Sequence, residues 1–273
     1  SQSTCTGGCP SGIWATGGLD DKFDFWLTSP NLQDGEGLRV VPGSAFPYGN
    51  DGAHYNSAVN GGGFNGAVGL TVANALLGSS DHLPAIVVLQ VPSKITAASQ
   101  LTFGSVITGA SATQTLSVTN SAVAPAEDLD SSLAARAGFT AAGGSFTQAA
   151  GATGNHSIGM STASPGVKAG TLTVSSDAPD SLTKNVLLSG TVLDHAVASL
   201  DSAATVVDEN FDLGTRPIGS FADSALRVHN RGWSSLQARL ALQSGVISGG
   251  ENRFSIAGGF TPALIAGVGQ PYT

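Results

Sequence analysis

The residues of this chain best suited to chemistry are Asp81 and His82, which stand side by side in the segment Ser80–Pro84. The apolar run Ala85–Leu89 follows at once and predicts a buried strand. A charged side chain is rarely buried unless it is paired or bound to a metal, so core filling does not explain this pair. The sequence therefore predicts a reactive carboxylate and imidazole at the mouth of a strand, where an imidazole can orient or deprotonate water.

A second acid stands far upstream in another strand-like segment. Asp24 lies inside the aromatic and aliphatic run Phe23–Leu27, which predicts a strand. If this strand neighbours the strand that follows His82, both side chains open toward the same edge of the sheet. A carboxylate beside an imidazole fixes the tautomer of the ring and raises its proton affinity. We expect a shared catalytic mouth there.

These two segments, with the Gly-Asn-Asp-Gly turn at 49–52 between them, resemble the C-terminal portion of the endonuclease/exonuclease/phosphatase superfamily. Its members are metal-dependent phosphodiesterases related to pancreatic-type deoxyribonuclease, and the resemblance covers residues 12–92. It implies that Asp24 orients His82, that His82 positions the scissile phosphate or the attacking water, and that Asp81 lies at a divalent cation, Mg²⁺ or Mn²⁺. The cation would neutralise phosphate oxygens and stabilise the leaving oxyanion. Alternatively, Asp81 caps a turn and His82 is a surface residue.

The same resemblance implies groups that this chain does not contain. Members of the superfamily bind their cation with an Asn and a Glu from the first half of the fold, and bind substrate with a second His and an Asp-x-Asn segment. All of these precede the strand that corresponds to Phe23–Leu27. The residues before Asp24 contain no Glu and no His. We therefore expect residues 1–92 to be the C-terminal part of an α/β four-layer sandwich and to be catalytically incomplete alone.

Composition favours a multidomain, mainly β protein. The 273 residues include 37 Gly and 12 Pro, and only 11% are charged, which favours short strands and turns over helices. The longest apolar run is far shorter than the roughly 20 residues that span a membrane. The net charge of the whole chain is −8. Residues 1–92 hold two basic and seven acidic groups, a charge of 2 − 7 = −5, which argues mildly against tight nucleic-acid binding and fits a cation-requiring site. Acidity with few lysines also favours a secreted protein.

After Pro92 the sequence becomes a succession of short strand patterns, and the pattern repeats. Asn120 matches Asn230 at a spacing of 110 residues, and His156 matches Tyr272 further along. Each copy resembles the immunoglobulin-like modules of the choice-of-anchor or spindle-and-hydin type, through Phe103–Val106 and through strand ends such as Val118-Thr119-Asn120. We expect immunoglobulin-like β-sandwiches at 93–198 and 199–273, the second truncated, so that the chain is cut at both ends.

Other polar residues give weaker signals. Cys5 and Cys9 could form a small disulfide outside the cell or stay reduced inside it, and we favour a surface disulfide over half of a metal site. The acidic stretch Glu127–Asp130 could hold calcium, but its order favours a solvated loop. Three histidines stand apart from other ligand types, so we predict exposed or strand-edge positions rather than metal ligation. These are His156, His195 and His229.

Two functions from different classes remain open. The first is an exported metal-dependent phosphodiesterase or nuclease, acting on a nucleic acid or a phospholipid-type phosphate ester, with immunoglobulin-like modules as spacers. The second is a bacterial surface adhesion or structural protein that carries a vestigial phosphodiesterase segment and makes protein contacts through its repeats. Both predict a secreted or cell-surface location in a bacterium.

Overall fold

The computed structural model describes residues 26–54, 57–80, 82–210, 212–266 and 270–272. The predicted site residues Asp24 and Asp81, and the predicted disulfide between Cys5 and Cys9, lie outside the described residues. The described chain is mainly β, with several separate sheets. We refer to residues 26–92 as the N-terminal unit, to residues 93–193 as the first sandwich, and to residues 194–272 as the second sandwich.

In its described residues the N-terminal unit has one α-helix, four very short strands and two 3₁₀ helices, Pro30–Leu32 and Gly61–Gly63. The α-helix and the strands are β1 Arg39–Val40, β2 Phe46–Pro47, α1 Gly69–Ser79, β3 Ala85–Ile86 and β4 Leu89–Gln90. Strand β1 pairs antiparallel with β4, and β2 pairs antiparallel with β3. The apolar spacing over residues 66–77 predicts the helix, and its inner face packs Ala73 against Val59 and Leu83 in a small core.

The prediction of a buried strand over Ala85–Leu89 is wrong. The run is split between β3 and β4, and Val88 and Leu89 are 40% and 43% exposed. Among the described residues β3 pairs only with β2 and β4 only with β1, so each lies at the edge of a two-stranded sheet. Of the strand predicted at Phe23–Leu27, only Trp26 and Leu27 are described, and neither lies in a strand.

The first sandwich contains nine strands in two sheets. The strands are β5 Ile95–Ala97, β6 Gln100–Ile107, β7 Thr113–Asn120, β8 Leu129–Ala135, β9 Phe139–Thr140, β10 Ser145–Gln148, β11 Thr153–Met160, β12 Gly166–Ser176 and β13 Thr183–Leu193. One sheet has the order β10-β8-β12-β13-β6 and the other the order β5-β7-β11-β9. Neighbouring strands are antiparallel except β13 and β6, which are parallel. This is the predicted immunoglobulin-like β-sandwich.

The core of the first sandwich follows the two-residue period of its strands. One core contains Leu116 and Val118 of β7 together with Leu172 and Val174 of β12, and all four side chains are fully buried. Burying a side chain of this size contributes roughly 1.5–3 kcal/mol, so the alternating pattern holds the two sheets together.

The second sandwich repeats part of this pairing with shorter strands. They are β14 Ala198–Ser199, β15 Leu226–Asn230, β16 Leu240–Leu242, β17 Ala263–Ile265 and β18 Gln270–Tyr272. Leu226 in β15 pairs with Tyr272 in β18, and Leu116 in β7 pairs with His156 in β11. The two pairs correspond, as the match of His156 with Tyr272 in the sequence repeat predicts. Strand β14 pairs with β15 as β5 pairs with β7, and β16 pairs with β17 as β8 pairs with β10.

Candidate functional site

His82 is the only residue of the predicted catalytic set within the described part of the chain. Its side chain is exposed, and it lies between the end of α1 and the start of β3. Its backbone N–H donates to the Ser80 hydroxyl over 3.0 Å, which shapes the turn out of the helix. The proposed roles of Asp24, Asp81 and His82 therefore stay predictions.

The structure does bring together two of the segments that carry the resemblance. Because β2 pairs with β3, the turn at Gly49–Gly52 lies beside the Ser80–Pro84 segment, and the Tyr48 N–H donates to the Pro84 carbonyl over 2.8 Å. Gly49 has a φ of +94°, and a Cβ at this position would lie 2.6 Å from the Leu76 side chain. Glycine is therefore required where the turn passes over the helix.

A buried acid–imidazole pair that sequence reasoning missed closes the loop after this turn. The Asp51 carboxylate accepts a hydrogen bond from His54 Nδ1 over 2.7 Å, and both side chains are 5% exposed. His54 Nε2 lies 3.0 Å from the Gly61 carbonyl oxygen. The signal that could have found the pair is Asp-x-x-His inside a glycine-rich loop.

The partners of His54 define its charge. The Asp51 carboxylate and the Gly61 carbonyl both accept hydrogen bonds, so both ring nitrogens of His54 donate. The ring is therefore the positively charged imidazolium. The hydrogen bond to Asp51 raises the pKa of His54, while burial opposes this rise and the Gly61 carbonyl adds to it. Burial alone would raise the pKa of Asp51, but hydrogen bonds from His54 and the backbone N–H groups of Gly66 and Ala53 lower it to about 2.

The pair is therefore built to hold the loop rather than to exchange protons with a substrate. Both ring nitrogens of His54 are engaged, and the Asp51 oxygens also accept from the N–H groups of Ala53 and Gly66. The buried amide of Asn65 donates to the Gly49 and Val59 carbonyls. These contacts fix the loop beside α1, and we call the Asp51–His54 pair with its partners the loop clasp.

Three carboxylates meet where the N-terminal unit touches the first sandwich. One oxygen each from Glu36, Glu127 and Asp177 lies within 4.8 Å of the others, at the edge of a cavity of about 400 Å³. A hydrogen bond to Glu127 and its negative charge raise the pKa of Glu36. Burial and then the Glu127 charge raise the pKa of Asp177. Oxygen ligands of this kind suit a hard cation such as Ca²⁺.

The prediction of a solvated loop at Glu127–Asp130 is wrong for Glu127, which is only 7% exposed, and for Leu129, which is fully buried at the start of β8. One Glu127 carboxylate oxygen accepts the Ser93 N–H over 3.2 Å. Asp128 and Asp130 are exposed, as predicted. The sequence carries no sign of this burial, because Glu36 and Asp177 come from distant parts of the chain.

The prediction for His156 is also wrong, since this side chain is 6% exposed in the interior strand β11. Its ring packs edge-on against Phe146 with centroids 4.3 Å apart. Burial lowers the pKa of His156, so the ring is a neutral part of the sandwich. His195 is exposed and His229 is half-buried.

No protein-family model matches the sequence, and no curated protein matches it. One similar structure is an ASH / PapD-like domain of human CEP192 (PapD-like domain 7), with 16% identity and a TM-score of 0.33. The matched region covers 37% of this chain and 86% of that domain. A protein of unknown function from Porphyromonas gingivalis W83 is similar over 65% of this chain and 81% of its own, with 15% identity and a TM-score of 0.32. The periplasmic chaperone SfaE is similar over 35% of this chain and 57% of its own length, with 15% identity and a TM-score of 0.27.

The immunoglobulin-like fold of this chain rests on its own strand pairings, and none of the comparisons shows a phosphodiesterase domain. In the part of the chain that the structure describes, no helix has the length and apolar character needed to cross a membrane.

Proposed function

We propose that this chain is a structural or adhesion-type protein whose immunoglobulin-like modules act as spacers under tension. The observation that carries the proposal is the parallel pairing of β6 with β13, the first and last long strands of the first sandwich. The chain passes from the short strand β5 into β6 at Gln100 and leaves the module at the end of β13. Because β6 and β13 are parallel, the start of β6 and the end of β13 lie at opposite ends of the pair.

This arrangement loads the module in shear when its ends are pulled apart. Six residue pairs join the two strands, from Leu187 and Gln100 to Leu193 and Ile107. Backbone hydrogen bonds from Leu187 N–H to the Ser99 carbonyl and from Thr108 N–H to the Leu193 carbonyl close the two ends of this ladder. Bonds loaded in parallel must break together, which makes the pair resist force better than a hairpin opened from one end.

The surface of the first sandwich also suits a scaffold. Cross-strand hydroxyl and amide pairs cover its outer faces, including Thr119 with Thr153 at 2.8 Å and Ser117 with Asn155 at 2.7 Å. Such pairs stabilise neighbouring strands. The buried Asn120 amide donates to the backbone carbonyls of Glu127 and Gln148, and the Gln148 side-chain oxygen accepts from the Ser131 hydroxyl. These polar groups therefore hydrogen-bond within the module.

Stretching single molecules of the full chain tests this proposal. We expect an unfolding step that releases on the order of 350 Å of chain for the 93–193 module, at about 3.5 Å per residue. Leu187→Pro removes the N–H that donates to Ser99, so it should lower the unfolding force without changing this length. The matched control Leu187→Ala keeps the N–H and should leave the force unchanged. Equal forces in the three proteins would contradict the proposal.

A phosphodiesterase segment is a second candidate for residues 12–92, and one observation favours it. The turn at Gly49–Gly52 and the Ser80–Pro84 segment, which both belong to the resemblance, are neighbours through β2 and β3. On this hypothesis Asp24 orients His82, Asp81 binds Mg²⁺ or Mn²⁺, and the substrate is a nucleic acid or phospholipid-type phosphate ester. The immunoglobulin-like modules would then tether an exported bacterial enzyme.

Hydrolysis of bis(p-nitrophenyl) phosphate and plasmid DNA with Mg²⁺ or Mn²⁺ tests the second candidate. We expect no turnover by the full chain alone above that of His82→Ala, because the first-half ligands are absent from the sequence. A longer chain that supplies a Glu-bearing strand and an Asp-x-Asn segment should hydrolyse the ester, and His82→Ala should abolish this. Failure of that longer chain would leave the structural function alone.

A further inference from the structure

The loop that the loop clasp holds contains two Asn-Gly sequences, Asn60-Gly61 and Asn65-Gly66. Asparagine is a chemically labile residue, because the backbone nitrogen of the next residue can attack its side-chain carbonyl carbon. A glycine in the next position has no side chain to hinder that attack, and it leaves the backbone free to rotate. Both sequences therefore have the composition for deamidation, and the fold decides which of them reacts.

The fold protects Asn65 on both sides of the reaction. Asn65 is 4% exposed, its amide donates to two backbone carbonyls, and its side-chain oxygen accepts from two backbone N–H groups. The nitrogen that would attack belongs to Gly66, and its N–H donates to the Asp51 carboxylate over 2.9 Å. All of these hydrogen bonds oppose a reaction at Asn65.

Asn60 is held less firmly in the same loop. It is half-buried, and its amide donates to the Asn74 side-chain oxygen over 2.8 Å. Gly62 and Gly63 follow close behind and are exposed, and a Cβ on either would meet nothing within 4 Å. The backbone on this side of Asn60 therefore has room to rotate.

Reaction at Asn60 requires the loop to open locally. The ψ of Asn60 is 13°, whereas closing a five-membered ring needs the Gly61 nitrogen turned toward the Asn60 side chain. The Gly61 N–H also donates to the Ala58 carbonyl over 2.8 Å. His54 Nε2 donates to the Gly61 carbonyl over 3.0 Å, so the loop clasp holds the peptide that must rotate.

We propose that Asn60 is a deamidation site and that the loop clasp controls its rate. In the opened loop the Gly61 nitrogen loses its proton and bonds to the Asn60 Cγ, and the bond from Cγ to the amide nitrogen breaks with release of ammonia. Water then opens the succinimide ring at either carbonyl carbon. The products are aspartate, or isoaspartate with the side-chain CH₂ group inserted into the main chain.

Deamidation should in turn release the loop clasp. Isoaspartate lengthens the main chain directly before Gly61, so it displaces the carbonyl that accepts from His54 Nε2. Both products also replace the amide that donates to Asn74 by a carboxylate, which cannot donate. We expect faster amide exchange of residues 57–66 in the deamidated protein.

Incubation of the full chain at mildly alkaline pH tests the proposal, with peptide mass mapping and enzymatic methylation of isoaspartate as readouts. We expect conversion at Asn60 to run about tenfold or more ahead of conversion at Asn65, because opening at Asn65 breaks more hydrogen bonds. In urea the two Asn-Gly sequences should convert at similar rates. Asn60→Gln should remove the signal at residue 60, because its longer side chain would have to close a larger ring.

A variant of the clasp tests the control of the rate. His54→Gln weakens the clasp and should speed conversion at Asn60 by about threefold or more, because the loop opens more often. The matched control His156→Gln changes another buried histidine, in the first sandwich, and should leave the rate unchanged. If His54→Gln unfolds the loop altogether, the ratio of the two sites in folded and urea-unfolded wild-type protein still tests the site.

Two results would overturn the proposal. The first is conversion at Asn65 that equals conversion at Asn60 in the folded protein, or no conversion at Asn60 while the unfolded chain converts completely. The second is a folded His54→Gln protein in which Asn60 converts at the wild-type rate, since the clasp would then not control the reaction.

Discussion

The side-chain amides of Asn120 and Asn230 make equivalent hydrogen bonds to the backbone of neighbouring segments in the two sandwiches. Asn120 is fully buried at the end of β7, where its amide donates to the Glu127 carbonyl over 2.8 Å and to the Gln148 carbonyl over 3.1 Å. Its oxygen accepts the Lys94 N–H over 3.2 Å. One side chain thus ties the end of a strand to three other segments.

Asn230 repeats this arrangement at the end of β15. Its amide donates to the Ala238 carbonyl over 2.9 Å and to the Ala266 carbonyl over 3.1 Å, and its oxygen accepts the Val197 N–H over 3.0 Å. Asn230 is 2% exposed. The strand ending that defines the sequence repeat is therefore a structural junction in both modules.

Asn120→Ala should destabilise the first sandwich by about 2–4 kcal/mol. The change removes the donor to two buried carbonyls and the acceptor of the part-buried Lys94 N–H, and a buried group left without a partner costs roughly 1–3 kcal/mol. Urea unfolding of the full chain would measure the loss. Asn230→Ala serves as the matched comparison and should leave the transition of the first sandwich in place. An Asn120→Ala protein with wild-type stability would show that water replaces the amide.

Gly170→Ala should destabilise the first sandwich by roughly 1–3 kcal/mol, because the new methyl group would overlap the Phe139 ring. The control is Gly143→Ala, where a Cβ would meet nothing within 4 Å. Thermal unfolding of the two variants should separate them clearly. Equal midpoints would mean that the Phe139 ring moves aside freely.

The loop clasp should weaken as the pH rises. Because the pKa of His54 is raised in the folded state, its contribution is complete below about pH 6.5, its unfolded value, and is lost as pH rises through the folded pKa. The pKa of Asp51 is lowered to about 2, so its contribution is present above 3.8 and is lost as pH falls toward 2.

Amide exchange of residues 57–66 between pH 4 and pH 9, corrected for intrinsic rates, measures this effect. Protection should be greatest between about pH 4 and pH 6.5. His54→Gln should lose protection and show little dependence on pH above 6. Wild-type protection that increases from pH 6.5 to pH 9 would contradict the assigned charge of His54.

Glu127→Gln should raise the melting temperature at pH 7. The raised pKa values of Glu36 and Asp177 mean that the cluster contributes stability at low pH, which is lost as pH rises through those values. The glutamine still accepts the Ser93 N–H and offers an amide donor to the two remaining carboxylates. The melting temperature should also vary less between pH 4 and pH 6.

Asp128→Asn is the control for this prediction, since Asp128 is exposed beside the cluster. It removes the same charge without touching the three facing oxygens, so its profile should follow that of the wild type. Identical profiles for Asp128→Asn and Glu127→Gln would assign the effect to net charge alone.

Local patterns in the sequence determined the long strands of the first sandwich. The alternation in β7 and the repeated strand ending at Asn120 and Asn230 predict the sandwiches, because the two-residue period of a strand is a property of its own backbone. The helix α1 is likewise visible from its apolar spacing, with a boundary shift of a few residues.

Only the tertiary structure decided which of those segments are covered. The apolar pattern of Ala85–Leu89 predicts a buried strand, but Val88 and Leu89 are about two-fifths exposed. The acidic stretch around Glu127 predicts a solvated side chain, but Glu127 is buried beside Glu36 and Asp177. Burial and the meeting of charged groups depend on layers supplied from distant parts of the chain, which local periodicity does not encode. For the same reason the contacts of His54 with Asp51 and Gly61, which form the loop clasp, are not visible in the local sequence pattern.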